Sequence, residues 1–265
     1  MQCYKNGQLI HSIPLLDRAF HYGDGCFTTA RIFQGHFELK DLHIARLKLT
    51  CQRLSLSTDL SHIEQSLEQL SQHASILNGT LKIVISRGEG ERGYRLPTHP
   101  ADIYLWYYSS MLQSFEPEWI ESGVLEHMPN LIGLKTLNRL EQVLLRQEAD
   151  QLGWTEALVT DVQGNIVEGV SSNCFIRIND RWITPELRYN GVHGVMRAEI
   201  LMRMQQANVA CEQRSIEMDE IEHIQSLFFC NALHPMKAVI RFKQQILEQQ
   251  PYLDLFQTLK LNQID

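Results

Sequence analysis

The sequence is short of basic charge, of long apolar runs and of paired cysteines, and each shortage removes a class of protein. Lys and Arg number 24 against 31 Asp and Glu, a formal net charge of -7. That balance argues against a nucleic-acid partner, which a basic surface would announce. No stretch approaches the ~18 apolar residues of a membrane span, so no membrane partner is expected. The opening MQCYKNGQLIHSIP has no long apolar core, and no signal peptide is expected. Six cysteines (Cys3, Cys26, Cys51, Cys174, Cys211, Cys230) include no CxxC, and the chain is long for a disulfide scaffold. They are expected to be reduced, mostly buried thiols of a cytoplasmic protein. Eleven histidines are scattered without ligand spacing, so no metal site is expected. His21, His43, His193 and His234 are expected to pack or to hydrogen-bond. Internal repeats and low-complexity tracts are absent from the sequence.

What is present is a globular composition, 44% hydrophobic and 21% charged over 265 residues, enough for one large or two small domains with a substantial core. LKIVISRG (81–88) and DIYLWYYS (102–109) are β-branched or aromatic runs that predict strands flanking a glycine-rich loop. Residues 156–185 predict a meander of three strands, with turns at Gln163-Gly164-Asn165 and Asn179-Asp180. Helical periodicity runs over 39–54, 63–77, 195–206 and 218–224. The segment SSMLQSFEPEW (109–119) is polar and contains proline, and predicts a seam. The expected organisation is an N-terminal α+β domain over 1–110, a linker over 111–118 and a larger C-terminal α/β domain over 119–265.

One segment raises a chemical question. GLKTLNRLEQVLLRQEAD (133–150) reads as an amphipathic helix, with Leu137, Leu140, Leu144 and Leu145 at helical spacing and Asn138 with Glu141 as a capping pair. Lys135 stands in its apolar approach rather than on a wet face. A lysine there can snorkel or pair with a carboxylate. It can also be partly desolvated, which lowers its pKa and frees the lone pair to attack a carbonyl. A lysine that carries a pyridoxal phosphate needs a group against the pyridine nitrogen and an anchor for the phosphate. Glu168, in GNIVEGVSSNCF, is a candidate for the first. YNGVHGVMRAEIL (189–201), where Gly191 and Gly194 run into a helix, is a candidate for the second, because a helix start offers free N–H groups and positive charge. FFCNALHPMKAV (228–239) ends an apolar strand on Asn231 and Ala232, further possible donors.

These motifs, with DRAFHYGDGCFTTARI (17–32) and LHIARL (42–47), span nearly the whole chain and resemble, in this order, the fold-type IV pyridoxal-phosphate enzymes. That family holds branched-chain aminotransferases, D-amino-acid aminotransferases and 4-amino-4-deoxychorismate lyases. YGDGCFTTAR (22–31), SRGEGERGY (86–94) and GLKTLNRLEQVL (133–144) are most similar to the lyase versions. The resemblance implies an α/β (α+β) fold of two domains with the cofactor between them, usually as a homodimer. It implies covalent attachment of pyridoxal 5'-phosphate to Lys135 and a pyridine-nitrogen contact from Glu168. It implies phosphate binding by Arg46 and the backbone of Gly194, Val195 and Met196, with help from Asn231 and Ala232. Aminotransferases of the family usually carry a tyrosine shortly after the lysine, where this chain has Asn138-Arg139, and a threonine in the phosphate loop, where this chain has Met196.

The implied reaction turns 4-amino-4-deoxychorismate into 4-aminobenzoate, the folate precursor, and pyruvate. Lys135 is the expected base, and Thr28 is expected to hold the leaving group or a water. Two substrate carboxylates call for cationic partners, and Arg92, Tyr94 and Arg139 are the candidates. An aminotransferase would use the same cofactor residues, so only the substrate-side residues separate the two. A non-catalytic protein that binds the cofactor is a third reading, opposed by the intact Lys135 and Glu168.

Overall fold

The computed structural model describes residues 1–72, 76–110, 115, 118–125, 133–188 and 190–264. The chain is a mixed α/β protein of two compact units. The first is Met1–Gln113 together with Lys135–Asn138, and the second is Ser114–Leu134 and Arg139–Ile264. The linker expected at 111–118 falls largely on residues 111–114 and 116–117, outside the described residues. Among the described residues no helix is long and apolar enough to cross a membrane.

Unit 1 runs β1 (Gln2–Lys5), β2 (Gln8–Leu9), α1 (Arg18–Tyr22), β3 (Gly25–Phe33), β4 (His36–Phe37), α2 (Lys40–Arg53), α3 (Ser61–Ser71), β5 (Gly79–Ser86) and β6 (Asp102–Ser109). Its sheet is antiparallel throughout, in the order β2-β1-β6-β5-β3-β4. Strand side chains alternate between faces. Leu81, Ile83 and Ile85 of β5 thus share a fully buried face, as do Ile103 and Leu105 of β6. Leu47 and Cys51 of α2 and Ile63 and Leu70 of α3 complete that core. The helix expected over 63–77 is shorter, because α3 ends at Ser71. Leu77 keeps the apolar pattern going but enters the same core from outside a helix.

Unit 2 runs β7 (Glu118–Leu125), α4 (Leu140–Gln151), β8 (Glu156–Thr160), β9 (Ile166–Gly169), β10 (Asn173–Ile178), β11 (Arg181–Pro185), α5 (Val195–Gln206), β12 (Cys211–Arg214), a 3-10 helix (Met218–His223), β13 (Ser226–Asn231), β14 (His234–Phe242), β15 (Gln245–Ile246) and α6 (Gln250–Thr258). Its sheet follows the order β12-β11-β10-β13-β14-β7-β8-β9, with β15 on β14. The β12–β11, β14–β7 and β7–β8 pairs are parallel and the rest antiparallel. The periodic stretch at 218–224 is a 3-10 helix rather than an α-helix.

The expected three-strand meander has four strands. The two anticipated turns are present: Gly164 has φ +83°, and Asn179 and Asp180 both have positive φ, which suits a tight hairpin. The additional turn, at Val170–Ser172, carries no glycine or proline signature of its own. The Glu156 side chain draws it together, accepting from Ser171 Oγ at 2.7 Å and Ser172 Oγ at 2.9 Å.

Unit 1 also buries an ion pair. Glu38 and Arg31 are nearly inaccessible, with 3.6 Å between Oε1 and NH1. Burial pushes the Glu38 carboxyl up to about 7 from an ordinary value near 4.5, against the pull of Arg31. Below pH 4.5 the group is protonated in both folded and unfolded chains, so the stability it contributes is fully present there. As pH rises to 7 only the unfolded chain ionises, and that stability is lost. Glu38→Gln should therefore narrow the fall in stability between pH 4.5 and 8, by on the order of 2 kcal/mol in urea unfolding at the two pH values. Comparing variant with wild type separates this term from buried His43, whose pKa, lowered to about 3 mainly by burial, acts in the opposite sense.

Candidate active site

Lys135 lies in an extended strip rather than at a helix start. Phe27 N–H donates to the Lys135 carbonyl at 2.9 Å, Leu137 N–H donates to the Gly25 carbonyl at 3.1 Å, and Cys26 bridges Thr136. The strip is thus a short antiparallel addition to the first third of β3, and α4 begins only at Leu140. The predicted capping pair does not form. Asn138 sends its amide to the Gly23 carbonyl at 3.1 Å, and Arg139 is the N-cap with no side-chain cap bond. The apolar stripe of α4 is buried at Leu145 and Ala149, whereas Leu140 and Leu144 are exposed. Lys135 is half-buried between buried Leu134 and Thr136, and its Nζ stands 4.6 Å from the centroid of the Phe27 ring. An aromatic face replaces part of the ammonium's hydration there.

Thr28 is completely buried on β3. Its hydroxyl shares a 2.6 Å hydrogen bond with His43 Nδ1 and accepts from the Arg46 guanidinium. For Thr28, expected to hold the leaving group or a water, the side chain has no accessible surface here and the hydroxyl is engaged by His43 and Arg46. Arg92 and Tyr94 are exposed on the loop between β5 and β6. A groove of about 670 Å³ elsewhere on unit 1, lined by Lys5, Asn6, His62, Glu89, His99 and Asp102 among others, holds none of the predicted site residues.

In unit 2, Glu168 ends up next to the glycine loop. Its Oε2 accepts the Val192 N–H at 2.9 Å and the Asn173 amide at 3.0 Å. The same amide nitrogen donates to the Val192 carbonyl at 2.9 Å. Asn173, buried at the start of β10, therefore ties the carboxylate to the loop. Gly194 caps the twelve-residue α5, whose first turn contains buried Val195 and Met196. A Cβ on Gly194 would collide with Asn173 Oδ1, so only glycine lets loop and amide approach this closely. Asn231 spends its side chain locally. Its Oδ1 accepts from Leu233 N and His234 N, both at 3.0 Å, and its amide donates to Ser172 Oγ at 3.2 Å. Ala232 sits in the turn that follows. Arg139 is half-buried and donates to the Leu134 carbonyl at 3.0 Å. Burial lowers its pKa, and the Glu168 charge opposes that shift. His21, His43, His193 and His234 each make a hydrogen bond, as expected.

Comparison with known proteins fits this geometry. The family described as amino-transferase class IV matches residues 25–242. The chain belongs to that family. A 4-amino-4-deoxychorismate lyase structure from Pseudomonas aeruginosa is 31% identical and superimposes with a TM-score of 0.83, covering 97% of this chain and 98% of that one. Aminodeoxychorismate lyase of Vibrio harveyi is 28% identical over 237 residues, 86% of each chain. D-alanine aminotransferase of Bacillus licheniformis is 22% identical over 247 residues, 86% of this chain and 83% of that one.

Class IV proteins are pyridoxal-phosphate enzymes, and the residues present fit that cofactor. A half-buried amine, a carboxylate fixed by two neutral donors, and a glycine-led helix start are the three features it needs. Reading the sequence missed Asn173. The available signal was an amide heading NCFIRI, a strand whose other buried residues are apolar. Gly194→Ala should displace Asn173 and cost about 1–3 kcal/mol as overpacking does. Urea unfolding of the cofactor-free protein checks that cost. A fluorescence titration with pyridoxal phosphate should show affinity falling with it.

Proposed function

We propose that this chain cleaves 4-amino-4-deoxychorismate to 4-aminobenzoate and pyruvate. The observation that carries the reading is its near full-length likeness to two lyases at 31% and 28% identity, against 22% for the aminotransferase. The replacement of the aminotransferase tyrosine by Asn138-Arg139 supports it. Asn138 serves as a tether to Gly23 and leaves no phenol in that position.

Pyridoxal phosphate, when bound, supplies an electron sink for a carbon that loses a proton. The chain's own residues do the rest. Lys135 Nζ would hold the cofactor, and the same amine would serve as the base that takes the proton from the carbon bearing nitrogen. The neighbouring carbon–oxygen bond breaks, the ring becomes aromatic, and the enolpyruvate leaves and takes up one proton to become pyruvate. Glu168, kept in place by Asn173 and Val192, would hold a proton on the pyridine nitrogen. The N–H groups of Val195 and Met196, with Gly194, the Asn231–Ala232 backbone and Arg46, hold the phosphate. Arg92 and Tyr94 receive the substrate carboxylates. Arg139, near Glu168 and bonded to Leu134, is a second cation for them.

The active form is proposed to be a cytoplasmic homodimer. The family resemblance supports the dimer, and six cysteines without a disulfide suit a reducing compartment. An aminotransferase reading keeps every cofactor residue and differs in the fate of the proton, which would return to the cofactor.

The deciding experiment incubates purified protein with 4-amino-4-deoxychorismate and no keto acid. Equal amounts of 4-aminobenzoate and pyruvate above an enzyme-free control are expected. A protein that instead moves amino groups between amino and keto acids would overturn the substrate assignment. Lys135→Ala should lose the borohydride-trapped cofactor adduct and at least ~10³-fold of the activity, while circular dichroism stays that of the wild type.

A further inference from the structure

The segment DRAFHYGDG leads into β3 and contains an arginine, Arg18, with almost no accessible surface. We propose that Arg18 is a positioning residue that fixes the tip of the β5–β6 loop around Tyr94 and so sets the affinity for the carboxylate-bearing substrate. The proposal rests on the assignment of Arg92 and Tyr94 to those carboxylates.

The loop between β5 and β6 spans residues 87–101, long for a connection without helix or strand of its own. A loop of that length presents side chains in a fixed place only if something outside it holds its backbone. Arg18 is almost inaccessible, and two of its three side-chain hydrogen bonds go to this loop. Its NH1 donates to the carbonyls of Gly93 at 2.9 Å and Arg95 at 3.3 Å, the two residues that flank Tyr94. Its backbone N–H donates to the Gly88 carbonyl at 2.9 Å. The loop also passes directly over its aliphatic stem, since a Cβ on Gly90 would come within 2.9 Å of Arg18 Cδ.

Two further contacts turn this grip into a frame. The guanidinium lies 4.7 Å from the centroid of the Tyr22 ring. The Tyr22 hydroxyl accepts the Gly93 N–H at 3.0 Å, and its ring meets that of Tyr94 at 5.7 Å. Arg18 Nε donates to Asp24 Oδ2 at 2.8 Å, and Asp24 also receives Arg87 Nε at 2.9 Å on each oxygen. One carboxylate thereby joins the root of the loop, at Arg87, to the cation that holds its tip. Arg18 is itself anchored by buried Asp17, which caps α1 through Ala19 N at 2.8 Å and accepts from Ser86 and from Tyr104 at 2.8 Å. A lysine lacks the planar fork needed to serve Asp24, two carbonyls and an aromatic face together.

The consequence is preorganisation. Arg92 and Tyr94 are exposed but stand on a backbone that is already ordered, so binding does not have to order it. Loss of the grip weakens binding of substrate and transition state alike, which raises KM with little change in kcat.

The test uses the cofactor-loaded enzyme and the variants Arg18→Met, Arg18→Lys and Tyr22→Phe, with steady-state kinetics and limited trypsin digestion. Arg18→Met should raise KM about tenfold with kcat within about threefold, and Tyr22→Phe, which removes one hydrogen bond, should raise KM about threefold. Tryptic cleavage after Arg92 and Arg95 should accelerate in the same order, with the cofactor absorbance unchanged. Arg18→Lys should resemble Arg18→Met rather than wild type. Faster cleavage with unchanged KM would overturn the proposal, as would unchanged cleavage, or loss of cofactor alongside kcat. Arg18→Met could fail to fold, and Tyr22→Phe, which leaves the Arg18–Asp24 pair intact, then decides alone. If the wild type makes no 4-aminobenzoate, the proposed function has failed separately. The same KM comparison is then made with the amino acid that the enzyme does accept, which also carries a carboxylate.

Discussion

The sharing of one strand edge decides where the lysine stands. β3 pairs with β5 from Gly25 to Ile32 on one side. On its other side β4 takes only Ile32 and Phe33, and the Lys135–Leu137 strip takes Gly25 to Phe27. Backbone hydrogen bonds, not side-chain packing, thus hold Lys135 extended and fix which way its side chain leaves the chain. The junction demands a residue without a Cβ at position 25, because a Cβ there would run into the Ile85 carbonyl and meet Leu137 Cδ1 at 2.9 Å. That close approach accounts for the second glycine of GDG by sterics alone. It also explains why helical periodicity starting at Leu137 misleads: Leu137 belongs to the strip and Leu140 to the helix.

Unit 2 solves a different problem, that of holding carboxylates away from water. Glu156 is buried among two serine hydroxyls and the Ala157 and Ser171 N–H groups. Glu168 is held by an amide and a backbone N–H, with Arg139 close enough for its charge to be felt. Hydrogen-bond donors satisfy the lone pairs of a buried carboxylate and so offset the cost of burying it. Glu156 uses that arrangement to build the turn between β9 and β10. Glu168 uses it to stay against the glycine loop, through Asn173 and Val192. The two are linked through chain geometry, since Ser172 sits one residue before Asn173 and also receives the Asn231 amide.

Those two constraints mark the limit of what the sequence shows. Runs that form strands on their own chemistry were legible: 102–109 is a strand to the residue, and 195–206 is a helix to the residue. So was the order of the motifs, which names the cofactor because lysine, carboxylate and glycine-led helix are each local patterns. What stayed hidden depends on partners distant in the chain. The turn at Val170–Ser172 is made by Glu156, the Asn138 side chain is drawn off its helix by Gly23, and Thr28 is buried by His43 and Arg46. Asn173 and Arg18 were invisible for the same reason. Their side chains bond to carbonyls 19 and 75 residues away, and a carbonyl carries no sequence signal.

The same division bears on why one family contains both lyases and aminotransferases. The cofactor frame of unit 2 consists of backbone donors, a glycine and buried polar side chains, so changing a substrate would leave it intact. The lysine strip is equally indifferent, being fixed by main-chain bonds to β3. Neither can choose between expelling a leaving group and returning a proton to the cofactor. The choice has to come from groups that touch the parts of the substrate not attached to nitrogen. The groups proposed for the carboxylates include Arg92 and Tyr94 on a loop, and a loop discriminates only as far as its backbone is held. If that loop receives the substrate, as proposed, the arginine buried beneath it is the point at which the fold, rather than the cofactor, acts on substrate binding.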